Sequence, residues 1–135
     1  MTRRGFSKYG AKKVVNADGT FDSASEAFRW YELKGMAERG EIKDLQRQVK
    51  YVLIPTQKEP DTTGPRGGVI KGKTIEKECS YFADFVYERD GEIIVEDVKG
   101  VATPEFNIKK KLMLERYGIR IQIVKVKNPR RHRRG

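Results

Sequence analysis

Residues 81–100 read YFADFVYERDGEIIVEDVKG, two runs rich in Val, Ile, Phe and Tyr on either side of Asp90-Gly91. Asp-Gly readily takes the two positive φ angles that a type I′ turn demands, so the pattern predicts a β-hairpin. With a two-residue turn Arg89 faces Glu92, and counting back along both strands sets Asp84 opposite Asp97. Because side chains alternate faces, Phe82, Asp84, Val86 and Glu88 then share one face with Ile93, Val95, Asp97 and Lys99.

The remaining pattern places other elements around this hairpin. Residues 23–39 predict a helix: Ser23-Ala-Ser-Glu26 fits a capping box, Gly40 is a stop, and Trp30, Leu33 and Ala37 recur as an apolar stripe. Glu26 lies on the line of that stripe. Residues 41–54 turn strand-like, with a weak alternation from Ile42 and a buried run at 51–54. Residues 13–21, KVVNADGTF, read as a short hairpin or extended arm. Thr103-Pro104-Glu105 opens a second helix that runs to about Tyr117 and ends at Gly118. Phe106, Met113 and Tyr117 line one side of it with Leu112 nearby. Residues 119–126, IRIQIVKV, alternate strictly and make a last strand. The expected fold class is therefore α/β, an αβββαβ core with a mixed sheet and a helix on each face.

Residues 55–73 interrupt this order with three prolines and four glycines. They are expected to form a long structureless loop, which in a compact domain is usually functional or disordered. Lys58, Arg66, Lys71 and Lys73 suit a loop that touches nucleic acid; a plain mobile insertion is the equal alternative.

With 135 residues the chain has the length of one domain, 1–135. Hydrophobic residues (37%) barely outnumber charged ones (36%), so the expectation is a soluble, rather core-poor protein. No apolar run is long enough for a transmembrane helix, no signal-peptide segment is evident, and the cytoplasm, that of a bacterial host cell, is the expected compartment. The single Cys79 allows no internal disulfide and no cysteine-rich zinc site.

The net charge of +10 is confined to the ends. Arg3, Arg4, Lys8, Lys12 and Lys13 fall in residues 1–13, and Lys127, Arg130, Arg131, Arg133 and Arg134 in residues 127–135, with no acid in either stretch. Those ten charges equal the whole excess. Acid-free basic arms usually meet a polyanion, and neither has the apolar face that an amphipathic membrane helix needs. Nucleic acid is the expected partner, and membrane is not.

The body supplies candidate chemistry. Paired like charges on a hairpin destabilise it unless something compensates them, and Asp84 and Asp97 with Lys99 nearby are such a patch. A divalent cation is the simplest compensator, since Mg²⁺ is held by one or two carboxylates, waters and substrate phosphates. A solvated face with an Asp97–Lys99 ion pair and Asp84 in water is the competing reading. Glu26 divides likewise between a capping role and a carboxylate aimed at the sheet, where a metal or water-bridged ligand set would compensate it. His132 sits in the basic tail, which speaks against histidine-based or zinc chemistry.

The set Glu26, Asp84 and Asp97-Val98-Lys99 on an αβββαβ frame resembles the PD-(D/E)XK nuclease superfamily, the restriction-endonuclease-like fold. FDSASEAFRWYELKGMAERGEIKDLQRQVKYVLIP, YFADF and VEDVKG are similar to a family of small phage and prophage nucleases related to Holliday junction resolvases. The likeness covers roughly residues 8–126. It implies that Asp84 is the first motif acid, with Ala83 where the signature has Pro, that Asp97 is the second acid, Lys99 the lysine and Glu26 the helix acid. Glu96 is the rival second acid, but it points to the other face and is followed at +2 by Val98. Gln48 matches a glutamine often found beside such sites. The resemblance further implies Mg²⁺ or Mn²⁺ held by Asp84, Asp97, the Val98 carbonyl and Glu26, with Lys99 orienting the attacking water or neutralising developing charge. Products would carry a 5′-phosphate and a 3′-hydroxyl. Branched DNA is the implied substrate and a homodimer the implied assembly. The arms, chiefly Arg3, Arg4, Lys12, Lys13, Arg130, Arg131, Arg133 and Arg134, together with Lys109 and Lys110 of the second helix, would hold phosphates. A non-catalytic basic nucleic-acid-binding protein is the alternative.

Overall fold

The structure is a computed structural model and describes residues 14–16 and 18–125. The expected basic arms, 1–13 and 127–135, and His132 lie outside those residues. The elements are β1 (Val14–Asn16), β2 (Gly19–Phe21), α1 (Ala24–Glu38), β3 (Lys43–Ile54), β4 (Gln57–Lys58), β5 (Thr62–Thr63), β6 (Val69–Ile70), β7 (Thr74–Glu76), β8 (Cys79–Arg89), β9 (Glu92–Lys99), α2 (Pro104–Tyr117) and β10 (Gln122–Lys125). The main sheet has four strands in the order β10-β9-β8-β3. It is mixed, because β8 and β9 are antiparallel while β9 and β10 are parallel. With its two helices this is the expected mixed α/β fold in the order αβββαβ.

Local chemistry accounts for most boundaries. Asp90 and Gly91 both take positive φ, 52° and 81°, so the hairpin turns as its sequence demands. The ladder runs from Arg89↔Glu92 to Phe85↔Glu96 in the expected register. The Ser23 hydroxyl accepts the Glu26 amide at 3.1 Å and starts α1. Thr103 caps α2 in the same way, Pro104 follows, and Gly118 closes the helix in the left-handed conformation at φ 69°. The expected strand at 119–126 begins later, at Gln122, and pairs through Lys125, with Ile121 buried before it and Val126 outside the described residues.

Residues 55–73 depart from expectation. They are not structureless: β4 pairs with β7 and β5 with β6, both antiparallel, so the chain between β3 and β8 folds back on itself as a ribbon. Prolines confined to the connections (Pro55, Pro60, Pro65) leave every ladder donor intact, and a tight Gly64–Gly68 turn closes the tip.

The chain divides into two compact units. In the first (described residues 14–16, 18–49, 83–102 and 121–125), Leu33, Ile42, Phe85 and Tyr87 form the buried core, with Trp30, Met36, Ala37, Leu45, Ile94 and Val98 packed against it. Trp30 stacks on Phe85 with ring centroids 5.9 Å apart. The predicted stripe of α1 is therefore the face that builds this core. In the second unit (residues 50–82 and 103–120), Tyr81 packs against Phe106 and Tyr51 meets Tyr117 edge-on at 5.3 Å. The Tyr117 hydroxyl donates to the Val52 carbonyl, while Met113 and Leu53 are buried.

Candidate active site

All four polar residues at the centre of the site belong to the first unit. Asp84 stands one position beyond Phe85, the last residue of the regular β8–β9 register. There the Val98 amide donates to the Asp84 side chain, at 2.8 Å from Oδ2. The other Asp84 oxygen accepts from Gln48 Nε2 at 3.3 Å. The same Gln48 nitrogen donates to Glu26 Oε2 at 3.2 Å. One amide group thus spans two carboxylates, one carried by α1 and the other by β8.

Gln48 reaches both acids because β3 is irregular at this point. Its φ is 51°, a left-handed conformation that costs a non-glycine residue roughly 1–3 kcal/mol. Strict alternation would send residues 47 and 48 to opposite faces, yet Arg47 also approaches Glu26, with 3.9 Å between its guanidinium and Oε2. A local break of this kind re-aims a side chain, and here it aims an amide between two acids.

The electrostatics follow from burial. Glu26 and Asp97 are each only 3% exposed. Loss of water, then the charges of Asp97 and Glu26, push the Asp84 carboxyl up to about 8. The Val98 amide and Gln48 pull the other way and do not win. Glu26 is also raised, first by burial and then by Asp22, against the pull of Arg47, the Asp22 backbone amide and Gln48. On β9, Lys99 Nζ lies 3.2 Å from Asp97 Oδ2. The Asp97–Lys99 pair of the competing reading is present, while Asp84 is half-buried and hydrogen-bonded rather than fully solvated. Among the described residues, no group of three or more His, Cys, Asp and Glu stands at metal-holding spacing.

Glu96, the rival acid, has a different setting. It receives a bidentate pair from Arg29 of α1, at 2.9 and 2.7 Å, and the Tyr87 hydroxyl donates to it as well. Burial and this carboxylate push Tyr87 up to about 12. With both oxygens engaged, Glu96 clamps α1 to the hairpin, and the acid left for chemistry on β9 is Asp97.

Of the residues expected from sequence, Glu26, Gln48, Asp84 and Val98 are joined by hydrogen bonds, and Asp97 and Lys99 form an ion pair beside them on the same strand. Lys109 of α2 is ion-paired with Glu105 one turn earlier, at 3.1 Å, which uses some of its capacity for phosphate. Lys110 is half-buried. The arm arginines and lysines lie outside the described residues. Sequence reasoning missed Arg47, whose guanidinium lies 3.8 Å from the Phe21 ring centroid and donates to the Asp18 and Thr20 carbonyls. It also missed Arg29. The one available signal was Arg29 falling a helical turn after Glu26, and therefore close to the same face.

A family model described as protein of unknown function (DUF1064) matches residues 6–130, nearly the whole chain, and the chain belongs to that family. No curated protein and no solved structure matches it. No helix among the described residues is long and apolar enough to cross a membrane.

Proposed function

We propose that this member of the DUF1064 family is a divalent-metal-dependent DNA endonuclease of the PD-(D/E)XK kind, which hydrolyses phosphodiester bonds. The observation that carries the reading is the Gln48 amide bridging Glu26 and Asp84 while Asp97 and Lys99 stand together on the neighbouring strand. A fold gains nothing from collecting three acids in a poorly hydrated patch, and burial followed by the charges of Asp97 and Glu26 pushes the Asp84 carboxyl up to about 8 as a result. Lys99 beside Asp97 and Arg47 near Glu26 offset part of this negative charge, and a divalent cation would offset more of it.

The donor set suits a hard cation. Mg²⁺ and Mn²⁺ favour oxygen ligands, and two carboxylates completed by a carbonyl, water and phosphate oxygens suffice, so a site of this kind does not need three acids at ligating spacing, which the described residues do not present. Asp84, Asp97 and the Val98 carbonyl are the groups that would hold the ion, with Glu26 reaching it directly or through water. The bound ion supplies charge stabilisation at the phosphoryl group and lowers the pKa of water.

The chain's own residues do the rest. Gln48 fixes the carboxylate planes of Glu26 and Asp84 through one nitrogen, so neither acid rotates freely. The Val98 amide holds Asp84 Oδ2 from the other side. Lys99 keeps an ammonium beside Asp97, where it orients the attacking water or neutralises charge that develops on the phosphate. Arg47 keeps Glu26 closer to its ionised form than burial alone would allow. Branched DNA is the substrate and a homodimer the assembly in this reading, since two matched cuts in a junction need two sites.

The test is cleavage of labelled four-way junction, linear duplex and single strand in Mg²⁺, Mn²⁺ or EDTA. Metal-dependent cutting of the junction supports the whole reading. Cutting of another substrate keeps the nuclease and replaces the resolvase role. Salt-sensitive binding with no cutting in either metal replaces both with a binding protein.

A further inference from the structure

The ribbon formed by β4 to β7 has no core of its own. From residue 54 to residue 77 every residue is exposed except Gly64 and Gly72, which are half-buried. Val69, Ile70 and Ile75 keep 69%, 51% and 58% of their surface in water. A bare two-stranded ribbon is marginal in water, so its shape must be set by local devices.

Those devices are visible. At the tip the Gly64 amide donates to the Gly68 carbonyl at 2.7 Å, and the Gly67 amide donates back to Gly64 at 3.0 Å. Gly67 takes φ 86°, which any other residue would adopt only with strain. Lower down, the Gly72 amide donates to Asp61 Oδ1 at 2.8 Å and the Glu59 amide to the Lys73 carbonyl at 2.8 Å. A Cβ at position 72 would lie 1.7 Å from the Glu59 carbonyl oxygen, so the two strands meet there as closely as a glycine permits. The ribbon is pinned at both ends of its outer half.

Charge is sorted along it. Glu76 and Glu78 lie at the root, where Glu78 is ion-paired with Lys50, while Asp61 and Glu59 stand across the ribbon from Gly72 and Lys73. Residues 62–75 contain Arg66, Lys71 and Lys73 and no acid. A preformed, solvent-exposed two-stranded ribbon whose tip, residues 62–70, carries Arg66 and no acid, and whose Lys71 and Lys73 follow on one strand, has the width and charge to enter the major groove of duplex DNA. The apolar Val69 and Ile70 are suited to thymine methyl groups on the groove floor. The deep, narrow groove of an RNA duplex would not admit it.

We infer that the outer half of this ribbon, residues 62–73, is a second DNA-contacting element that seats in the major groove of a duplex arm, with Arg66, Lys71 and Lys73 on the phosphates. The inference rests on the reading of the chain as a DNA enzyme. The ribbon thus supplies duplex contacts of its own, whatever the arms contribute.

The experiment is equilibrium binding in EDTA, where nothing is cut, to a blunt DNA duplex and to an RNA duplex of equal length across a salt series. Wild type is set beside the triple variant Arg66→Ala/Lys71→Ala/Lys73→Ala and beside Val69→Ser/Ile70→Ser. Each phosphate contact contributes about 0.9 to the slope of log affinity against log salt, so the triple variant is expected to lower the DNA slope by about 2–3. The apolar variant is expected to weaken DNA binding severalfold with the slope unchanged, and neither variant should alter RNA binding as much. An unchanged DNA slope in the triple variant overturns the inference, as does an equal effect on both duplexes. A change from dimer to monomer in the apolar variant, read by sedimentation, also overturns it, because the ribbon would then be an arm between copies. Loss of slope in a protein that cuts nothing leaves the ribbon in place and removes the nuclease reading instead.

Discussion

Replacing Asp84 with asparagine is expected to make the metal-free protein more stable at neutral pH while it removes cleavage. The wild-type carboxyl is pushed from its usual 3.8 up to about 8 by burial and by Asp97 and Glu26. A carboxyl whose folded pKa is raised binds its proton more tightly in the folded state. Stability is therefore full below pH 3.8 and falls as pH rises toward 8. At about 1.4 kcal/mol per pH unit, folding at pH 7 forfeits on the order of 4 kcal/mol. Asparagine removes that cost. Its oxygen still accepts the Val98 amide, but its NH₂ then faces the Gln48 NH₂, and turning the Gln48 amide to resolve this gives up the bond to Glu26, at about 1 kcal/mol. The net gain is roughly 2–3 kcal/mol, or several degrees in Tm for a chain of this length. Urea unfolding in EDTA at a series of pH values from 3.5 to 8 measures it. The gain should be largest near pH 8 and turn into a deficit of about 1 kcal/mol near pH 3.5, where only the lost Gln48 bond remains. A difference independent of pH, or a less stable variant at pH 7, would refute the reasoning.

Three further outcomes follow from the same contacts. Gln48→Glu adds a third carboxylate between Glu26 and Asp84 and should cost about 2 kcal/mol at pH 7, most of it recovered below pH 4, as read by thermal melts at both values. Arg29→Met leaves Glu96 buried with only Tyr87 beside it and should cost about 3 kcal/mol in urea unfolding, with the core fluorescence of Trp30 as reporter. Added Mg²⁺ should raise the Tm of wild type at pH 8 and have no effect on Asp84→Asn, which separates a cation site from a plain acidic patch.

Much of this was legible beforehand because the decisive patterns are local. Asp90-Gly91 sets the hairpin register by its own backbone preferences, so the faces of Asp84, Asp97 and Glu96 follow by counting. Ser23 and Thr103 fix their helix starts through hydrogen bonds three residues long. The stripe of Trp30, Leu33 and Ala37 fixes which side of α1 is buried and carries Glu26 to that side. What stayed hidden depends on contacts distant in sequence or on departures from regular geometry. Nothing in QRQVKY announces that Gln48 takes a left-handed φ, and regular alternation would have sent it away from Arg47. The stacking of Arg47 on Phe21 joins residues 26 positions apart, and Arg29 meets Glu96 across 67. The ribbon was misread because prolines and glycines signal turns without saying that short extended pieces between them will pair.

Asp97 and Lys99 acting beside Asp84 at a phosphate are the core of the proposed chemistry. The measurement that bears on this most directly is single-turnover cleavage of a labelled DNA substrate in Mg²⁺ by wild type, Asp97→Asn and Lys99→Met, each first shown to be folded and to bind the same DNA in EDTA. The expectation is metal-dependent cutting by wild type and a loss of at least about a hundredfold in both variants with DNA binding retained. Cutting that survives Asp97→Asn, or that proceeds equally well in EDTA, would contradict it.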